Sequence, residues 1–174
     1  MVGRMQNLGI VDKAIAGLEK AIDWVVTIII AMMVINITAG VFFRYVLGNS
    51  LVWTEELSRY LMVWAGMLGA GLAMADGSHV GIDLLVNKCS PALAHALRII
   101  AKIVIQIFLT IVVVKSFGYL DTLKIQKSSA MEMPMVIPYL SVCAGAIFMS
   151  LENLLIIVRL FLRIEKPDNG EVGI

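Results

Sequence analysis

Four long apolar stretches, separated by short polar connections, dominate the pattern of this 174-residue chain. Each is long enough for the roughly 20 residues with which a helix crosses the hydrocarbon core of a bilayer. In the otherwise polar segment 1–20, apolar residues recur at helical spacing, which predicts an amphipathic interfacial helix or an extension of the first span. A short interfacial helix is also expected between spans two and three. The predicted spans are about 22–43, 53–75, 91–118 and 135–160.

Composition supports the same class. The chain is 60% hydrophobic and 16% charged, and its mean hydropathy is +0.91. These values indicate an all-α integral membrane protein, here a single membrane domain over 1–174 with a tail at 163–174. The net charge of +1 comes from scattered Lys and Arg, so nucleic acid is excluded as a partner and membrane lipids are expected.

No reaction chemistry is visible in the sequence. It contains no phosphate-binding glycine loop, no HExxH, no Ser or Cys nucleophile with a matching base, and no pair of membrane histidines for a haem. We therefore expect a protein that is not an enzyme and that carries no cofactor or metal.

The distribution of positive charge predicts the orientation. Four spans place both termini on one side, and Lys and Arg are more frequent on that side, which is typical of the cytoplasm. The connections after spans one and three would then face outward from a bacterial inner membrane. The basic residues are Arg4, Lys13, Lys20, Lys88, Arg159, Arg163 and Lys166 on the terminal side, and Arg44, Lys124 and Lys127 on the other.

Charged residues gather where span one ends and span two begins. Thr54 is expected to cap the second helix, with two carboxylates in its first turn. An arginine follows at the spacing of helical neighbours. The group is either a structural ion network that fixes the hairpin or a route for an ion or substrate, since intramembrane charge marks both. Its members are Arg44, Trp53, Glu55, Glu56 and Arg59.

Small residues four apart follow on the same helix. Such spacing lets helix backbones approach closely, and in lipid this contact is a main source of helix association. The residues form either a docking face for a partner helix or a packing face within the chain's own bundle. They are Ala65, Gly66, Gly69, Ala70 and Ala73.

Polar residues inside the other spans predict further contacts. Asn36 and Thr38 are expected to make hydrogen bonds between helices. Lys102 and Glu152 lie at matching depths of spans three and four, and we expect a buried ion pair between them. If Glu152 instead carries protons, the chain is a self-sufficient small proton-coupled transporter.

The connection after span two holds His79 and Asp83, four residues apart among apolar residues. A pH-sensitive group or a ligand is one interpretation of this histidine, and a hydrogen bond within the loop is the other.

Together these residues resemble the small membrane subunit (Q-type, DctQ-like) of the tripartite ATP-independent periplasmic (TRAP) transporters. The likeness covers all four spans and is strongest around the second. In the first half it consists of Phe43-Arg44-Tyr45-Val46, the run from Trp53 to Tyr60, Trp64, Gly66, Leu68-Gly69-Ala70, His79-Val80 and Asp83. In the second half it consists of Gln126, Ser128-Ser129, Met133-Pro134, Ile137-Pro138-Tyr139 and Gly145.

The resemblance implies a non-catalytic subunit that braces a large multi-span subunit, which moves the substrate by an elevator-like motion driven by a sodium gradient. It also implies a soluble periplasmic protein that delivers the substrate and docks partly on the small subunit. Sodium coupling would reside in the large subunit. Because family members serve C4-dicarboxylates, sialic acids and other organic acids, the expected solute bears a carboxylate. The matching motif residues are expected to have architectural roles.

Overall fold

The structure, a computed structural model, describes residues 2–76 and 91–162 and consists of four long helices. They are α1 (Val2–Tyr45), α2 (Val52–Ala75), α3 (Pro91–Leu123) and α4 (Val136–Leu162). Each contains a segment long and apolar enough to cross a membrane. The predicted all-α membrane protein with four transmembrane helices is therefore confirmed.

Helix α1 is continuous over 44 residues, about 66 Å at ~1.5 Å per residue. That length is about twice the roughly 30 Å of a bilayer core. The amino-terminal segment is thus an extension of the first span, the second of the two alternatives, and not a separate interfacial helix.

The helices form a single layer in the order α1–α2–α4–α3. Helix α2 packs against α1 and α4, and α4 also packs against α3, whereas no other pair of the described helices is in contact. The buried apolar core is small for this reason, and many large apolar side chains are exposed. Lipid is an acceptable environment for such side chains, so the layer depends on specific contacts at its three seams.

An asparagine holds the seam between α1 and α2. Asn36 is 8% exposed, and its Nδ2 donates to the backbone oxygen of Thr54 and to Oγ of Ser58, both at 2.7 Å. Beside it, a Cβ on Gly40 would lie 2.7 Å from Thr54 Oγ1, so glycine permits this close approach. The prediction for Asn36 is confirmed. That for Thr38 is wrong, because its hydroxyl donates to Val34 O of its own helix at 2.8 Å.

Two glycines interlock α2 with α4. A Cβ on Gly145 of α4 would lie 2.7 Å from Cβ and 2.9 Å from the backbone oxygen of Met67. In the reciprocal contact, the ring of Phe148 from α4 occupies the space that a side chain on Gly71 of α2 would need. Each helix therefore offers a gap to a bulky residue of the other, which brings the backbones close.

Buried amides join α3 to α4. Asn153, which is fully buried, donates from Nδ2 to Lys102 O at 2.9 Å and to Gln106 Oε1 at 3.0 Å. Gln106 in turn donates from Nε2 to Ser150 Oγ at 2.7 Å. Hydrogen bonds between helices compensate for the burial of these polar groups in a membrane.

Candidate partner-binding site

One end of the layer, called the upper end, carries the connection 46–51 between α1 and α2 and the connection 124–135 between α3 and α4. The second connection folds back on itself as a short hairpin. Its backbone hydrogen bonds run from Ser128 N to Met133 O at 2.8 Å and from Met135 N to Gln126 O at 3.0 Å. Near its tip, Glu132 adopts a left-handed backbone conformation with φ of 51°.

Glu56 of α2 fastens this hairpin. Glu56 as a residue is 7% exposed, and its Oε2 accepts hydrogen bonds from the backbone N–H groups of Ala130 (2.9 Å) and Met131 (3.0 Å). The hydroxyl of Tyr60, one turn along α2, donates to Oε1. A buried carboxylate needs several donors of this kind to offset the loss of water.

Glu55, the preceding residue, contacts the other connection instead. Its Oε1 lies 3.5 Å from Nη1 of Arg44 at the end of α1, and both side chains are largely exposed. Arg59 is exposed and makes no ion pair within the described part of the chain. Of the predicted charge network, the Arg44–Glu55 pair joins the end of α1 to α2 as expected, whereas Glu56 lies apart from it and contacts the hairpin 124–135. Glu55 and Glu56 are separated by about 100° around the helix and reach in different directions.

The expected cap of α2 also differs. The helix begins at Val52, three residues earlier than a cap at Thr54 predicts, with Leu51 as the N-cap residue and no side-chain cap hydrogen bond. Thr54 is instead buried, and its hydroxyl donates back to Leu51 O at 2.6 Å. Trp53, next to it, is 42% exposed at the upper end.

The small-residue face of α2 is open. A Cβ on Gly66 or on Gly69 would meet nothing within 4 Å. Gly66, Ala70 and Ala73 are exposed, while Ala65 and Gly69 are half-buried. The glycines that pack between α2 and its neighbours are Gly40, Gly71 and Gly145, which do not belong to this face. Among the described residues, this face therefore packs against no helix. The exposed stripe continues upward along the same side of α2 through Met62, Arg59, Glu55 and Val52.

Lys102 and Glu152 are both buried, with exposed fractions of 8% and 4%. They lie at the same level of the seam between α3 and α4, because Asn153 bonds to the backbone of Lys102. Their ion pair stays a prediction. His79, Asp83 and the short interfacial helix expected around them lie outside the described residues, as does the tail 163–174.

Two features of the structure were not predicted from the sequence. One is the Asn153–Gln106–Ser150 chain of hydrogen bonds, for which amides at matching depths of two spans were the available signal. The other is the role of Glu56, whose partners on the hairpin include two backbone N–H groups. Every residue except proline has a backbone N–H group, so the sequence does not indicate which of these groups bind a carboxylate, and this contact could not be predicted.

The fold and this site define a class: an all-helical, multi-pass membrane protein whose second helix carries an exposed face of small residues. Among the described residues, no cluster of His, Cys, Asp or Glu could hold a metal ion. The sequence pattern of the tripartite ATP-independent periplasmic transporters, DctQ component, matches residues 32–163. The chain therefore belongs to this family, as the resemblance implied.

Individual relatives agree with this assignment. A small permease protein of an ectoine TRAP transporter from Halomonas elongata is 26% identical over 149 residues, which is 84% of this chain and 76% of that protein. A Haemophilus influenzae protein named as a TRAP transporter small permease is 39% identical over 74 residues, or 42% of this chain. The matched segment spans 46%, about half, of that relative.

Longer proteins contain similar segments. The sialic acid TRAP transporter permease protein SiaT of Haemophilus influenzae is 39% identical over 71 residues, which is 40% of this chain but 11% of that protein. The isethionate TRAP transporter permease protein DctMQ of Oleidesulfovibrio alaskensis is 29% identical over 94 residues, or 51% of this chain and 14% of that protein. In both, the similar part is a small fraction of the polypeptide.

Proposed function

We propose that this chain is the small permease subunit of a TRAP transporter, that it braces a large membrane subunit, and that it helps to dock a soluble substrate-binding protein. The open face of α2 is the observation that supports the bracing role. In lipid, a helix face of Gly and Ala gains adhesion only when another helix lies against it.

The partner of this face is a transmembrane helix of the large subunit. SiaT and DctMQ support this choice, because a segment similar to this chain is there part of a much longer permease protein. Arg59 lies on the same face above the small residues. A charged side chain at this position is stabilised by an anionic group, which we assign to the partner helix.

The upper end faces the periplasm in this proposal, and both termini lie in the cytoplasm of a bacterium. The excess of Lys and Arg on the terminal side supports this orientation. The exposed Arg44–Glu55 pair and the hairpin held by Glu56 would then form the surface that the soluble protein meets.

The transported solute is an organic acid carried in with sodium, and the large subunit supplies both binding sites. Relatives named for C4-dicarboxylates and sialic acid support a carboxylate-bearing solute. The relative named for ectoine shows that the substrate varies among similar chains.

Co-purification tests the bracing role. The tagged chain is co-expressed with the large membrane subunit of the same transport system, extracted in mild detergent and captured. We expect Gly69→Leu to reduce the captured large subunit at least about tenfold, a loss of about 1.4 kcal/mol or more. Gly118→Leu is the matched control, because Gly118 of α3 is also exposed and has nothing within 4 Å of its Cβ position.

Equal capture by the Gly69 and Gly118 variants would show that the face of α2 is not the interface. The alternative function is tested separately by reconstituting the chain alone into liposomes. Proton-coupled transport by the chain alone, abolished by Glu152→Gln, would replace the helper role with that of a self-sufficient transporter.

A further inference from the structure

The side-chain amide of Asn153 uses only its nitrogen in the seam between α3 and α4. The residue is 0% exposed, and its Nδ2 donates to Lys102 O and to Gln106 Oε1. Its Oδ1 is buried and accepts a hydrogen bond from no group in the described part of the chain. Buried polar side-chain atoms almost always have a hydrogen-bond partner, so this oxygen requires a donor.

The hydrogen bonds of Nδ2 also fix which way round the amide lies. Turning it over would place Oδ1 against the backbone oxygen of Lys102, and two acceptors would then face each other. The amide of Gln106 is held as well, because its Nε2 donates to Ser150 Oγ at 2.7 Å. The atom that needs a partner is therefore the oxygen, and its ligand must be a hydrogen-bond donor.

The part of the seam around this oxygen is polar and closed. Lys102 and Glu152 are both buried there, and Nζ of Lys102 is itself a buried atom. An ammonium group has three N–H donors and no acceptor, so a contact with one carboxylate does not use all of them. A ligand that donates to an amide oxygen and accepts from an ammonium group would serve both residues.

Water is the smallest molecule with both abilities. Buried waters in proteins make about three hydrogen bonds to polar groups of this kind, and ordered water also satisfies polar groups within transmembrane helices. A cation fits less well, because the ammonium group of Lys102 repels it. We propose that a water molecule is bound in the seam between α3 and α4, where it donates to Oδ1 of Asn153 and accepts from Lys102.

This site gives the two seams of α4 different characters. The seam with α2 is packed through Gly71 and Gly145, whereas the seam with α3 holds a hydrated polar cluster. The water lowers the cost of keeping the charge of Lys102 inside the membrane, because a buried charge needs hydrogen bonds in addition to an ion partner. The inference does not depend on the proposed function, since it concerns contacts within this chain.

Magic-angle-spinning NMR of the full chain in bilayers of deuterated lipid tests the site. Asparagine is labelled with ¹³C, and the Asn153 signal is identified by its loss in Asn153→Ser. Magnetisation is selected on water protons and transferred to Cγ. We expect the transfer to Asn153 to reach within about threefold of that to the exposed Asn49.

Two lysine variants test the bridge. Lys102→Met should reduce the transfer to Asn153 at least about threefold, because the water loses a hydrogen-bond donor. Lys115→Met is the matched control, since it is the same substitution at an exposed position of α3, and it should leave the transfer unchanged.

A further measurement on the unsubstituted chain separates a bridging water from a direct contact. With lysine labelled with ¹⁵N, a hydrogen bond from Nζ of Lys102 straight to Oδ1 would place Nζ within about 4 Å of Cγ of Asn153, and an intervening water places it farther away. A separation of about 4 Å or less would overturn the inference. Absence of water transfer to Asn153, or transfer that Lys102→Met leaves unchanged, would also overturn it.

Discussion

Two glycines on facing helices give opposite predictions for the same substitution. Gly145 of α4 lies against Met67, whereas Gly69 of α2 has nothing within 4 Å of its Cβ position. Alanine favours a helix over glycine by roughly 0.5–1 kcal/mol at either site. The difference between the two sites therefore lies in the space that each one offers.

At Gly145 the added methyl group meets atoms that cannot move independently. Its nearest contacts are Cβ, O and C of Met67, at 2.7, 2.9 and 3.0 Å. Two of these are backbone atoms, so α2 and α4 must separate, and the contact between Gly71 and Phe148 loosens with them. Overpacking of this kind costs about 1–3 kcal/mol. After the helical gain is subtracted, we expect Gly145→Ala to lower the free energy of unfolding by up to about 2.5 kcal/mol.

Gly69→Ala is expected to raise the free energy of unfolding of the isolated chain by up to about 1 kcal/mol. The assay is unfolding in mixed micelles on titration with sodium dodecyl sulphate, followed by far-ultraviolet circular dichroism. The sign of the effect decides the outcome. If Gly69→Ala destabilises the isolated chain as much as Gly145→Ala, the face of α2 is packed within the chain and the docking face is refuted.

The same titration tests the other seams. Asn36→Ala should lower the free energy of unfolding by about 1 kcal/mol, because it removes two hydrogen bonds between helices at roughly 0.6 kcal/mol each. Thr38→Ala should change it by no more than about 0.3 kcal/mol, because the hydrogen bond of Thr38 lies within α1. Equal losses for the two variants would contradict the role of Asn36 in joining α1 to α2. For the predicted ion pair, Lys102→Met and Glu152→Gln should each destabilise the chain, and the double variant should recover at least about 1 kcal/mol of the summed losses. Strict additivity would exclude the pair.

Much of the fold follows from local patterns. Four apolar stretches of membrane-spanning length predict four helices, because no other open segment can satisfy its backbone in lipid. The family resemblance also rests on short stretches of sequence. The order α1–α2–α4–α3 could not be predicted in this way, because it depends on which faces of different helices pack together and not on the sequence of any single helix.

Helix periodicity explains two of the errors. Asn36 and Thr38 are two residues apart, so they point about 200° apart and cannot both face α2. Glu55 and Glu56 likewise diverge by about 100°, which separates the charges that were predicted as one cluster. Only the divergence of Asn36 and Thr38 could be predicted from spacing alone, because Arg59 lies four and three residues after Glu55 and Glu56 and the same rule places it within reach of both.

The small residues show what the sequence could not decide. Gly66, Gly69, Gly71 and Gly145 are chemically identical, yet two of them pack inside the chain and two face outward. The position of α2 between α1 and α4 decides which of these glycines are packed and which are exposed. Once that position is known, the outward glycines lie on the one side of α2 that neither neighbour covers.

This division has a physical consequence for the whole layer. In water, a sheet of four helices with apolar residues on both sides would collapse to bury them, but lipid supplies no such driving force. The seams therefore rely on an asparagine, a glycine pair and a buried amide chain, and each uses contacts that apolar burial cannot replace. A face that has the same small residues but no helix against it could still associate with another helix. In a bilayer, the helix that packs against this face would belong to a second membrane protein. The open face of α2 therefore supports the bracing role more directly than any single residue does.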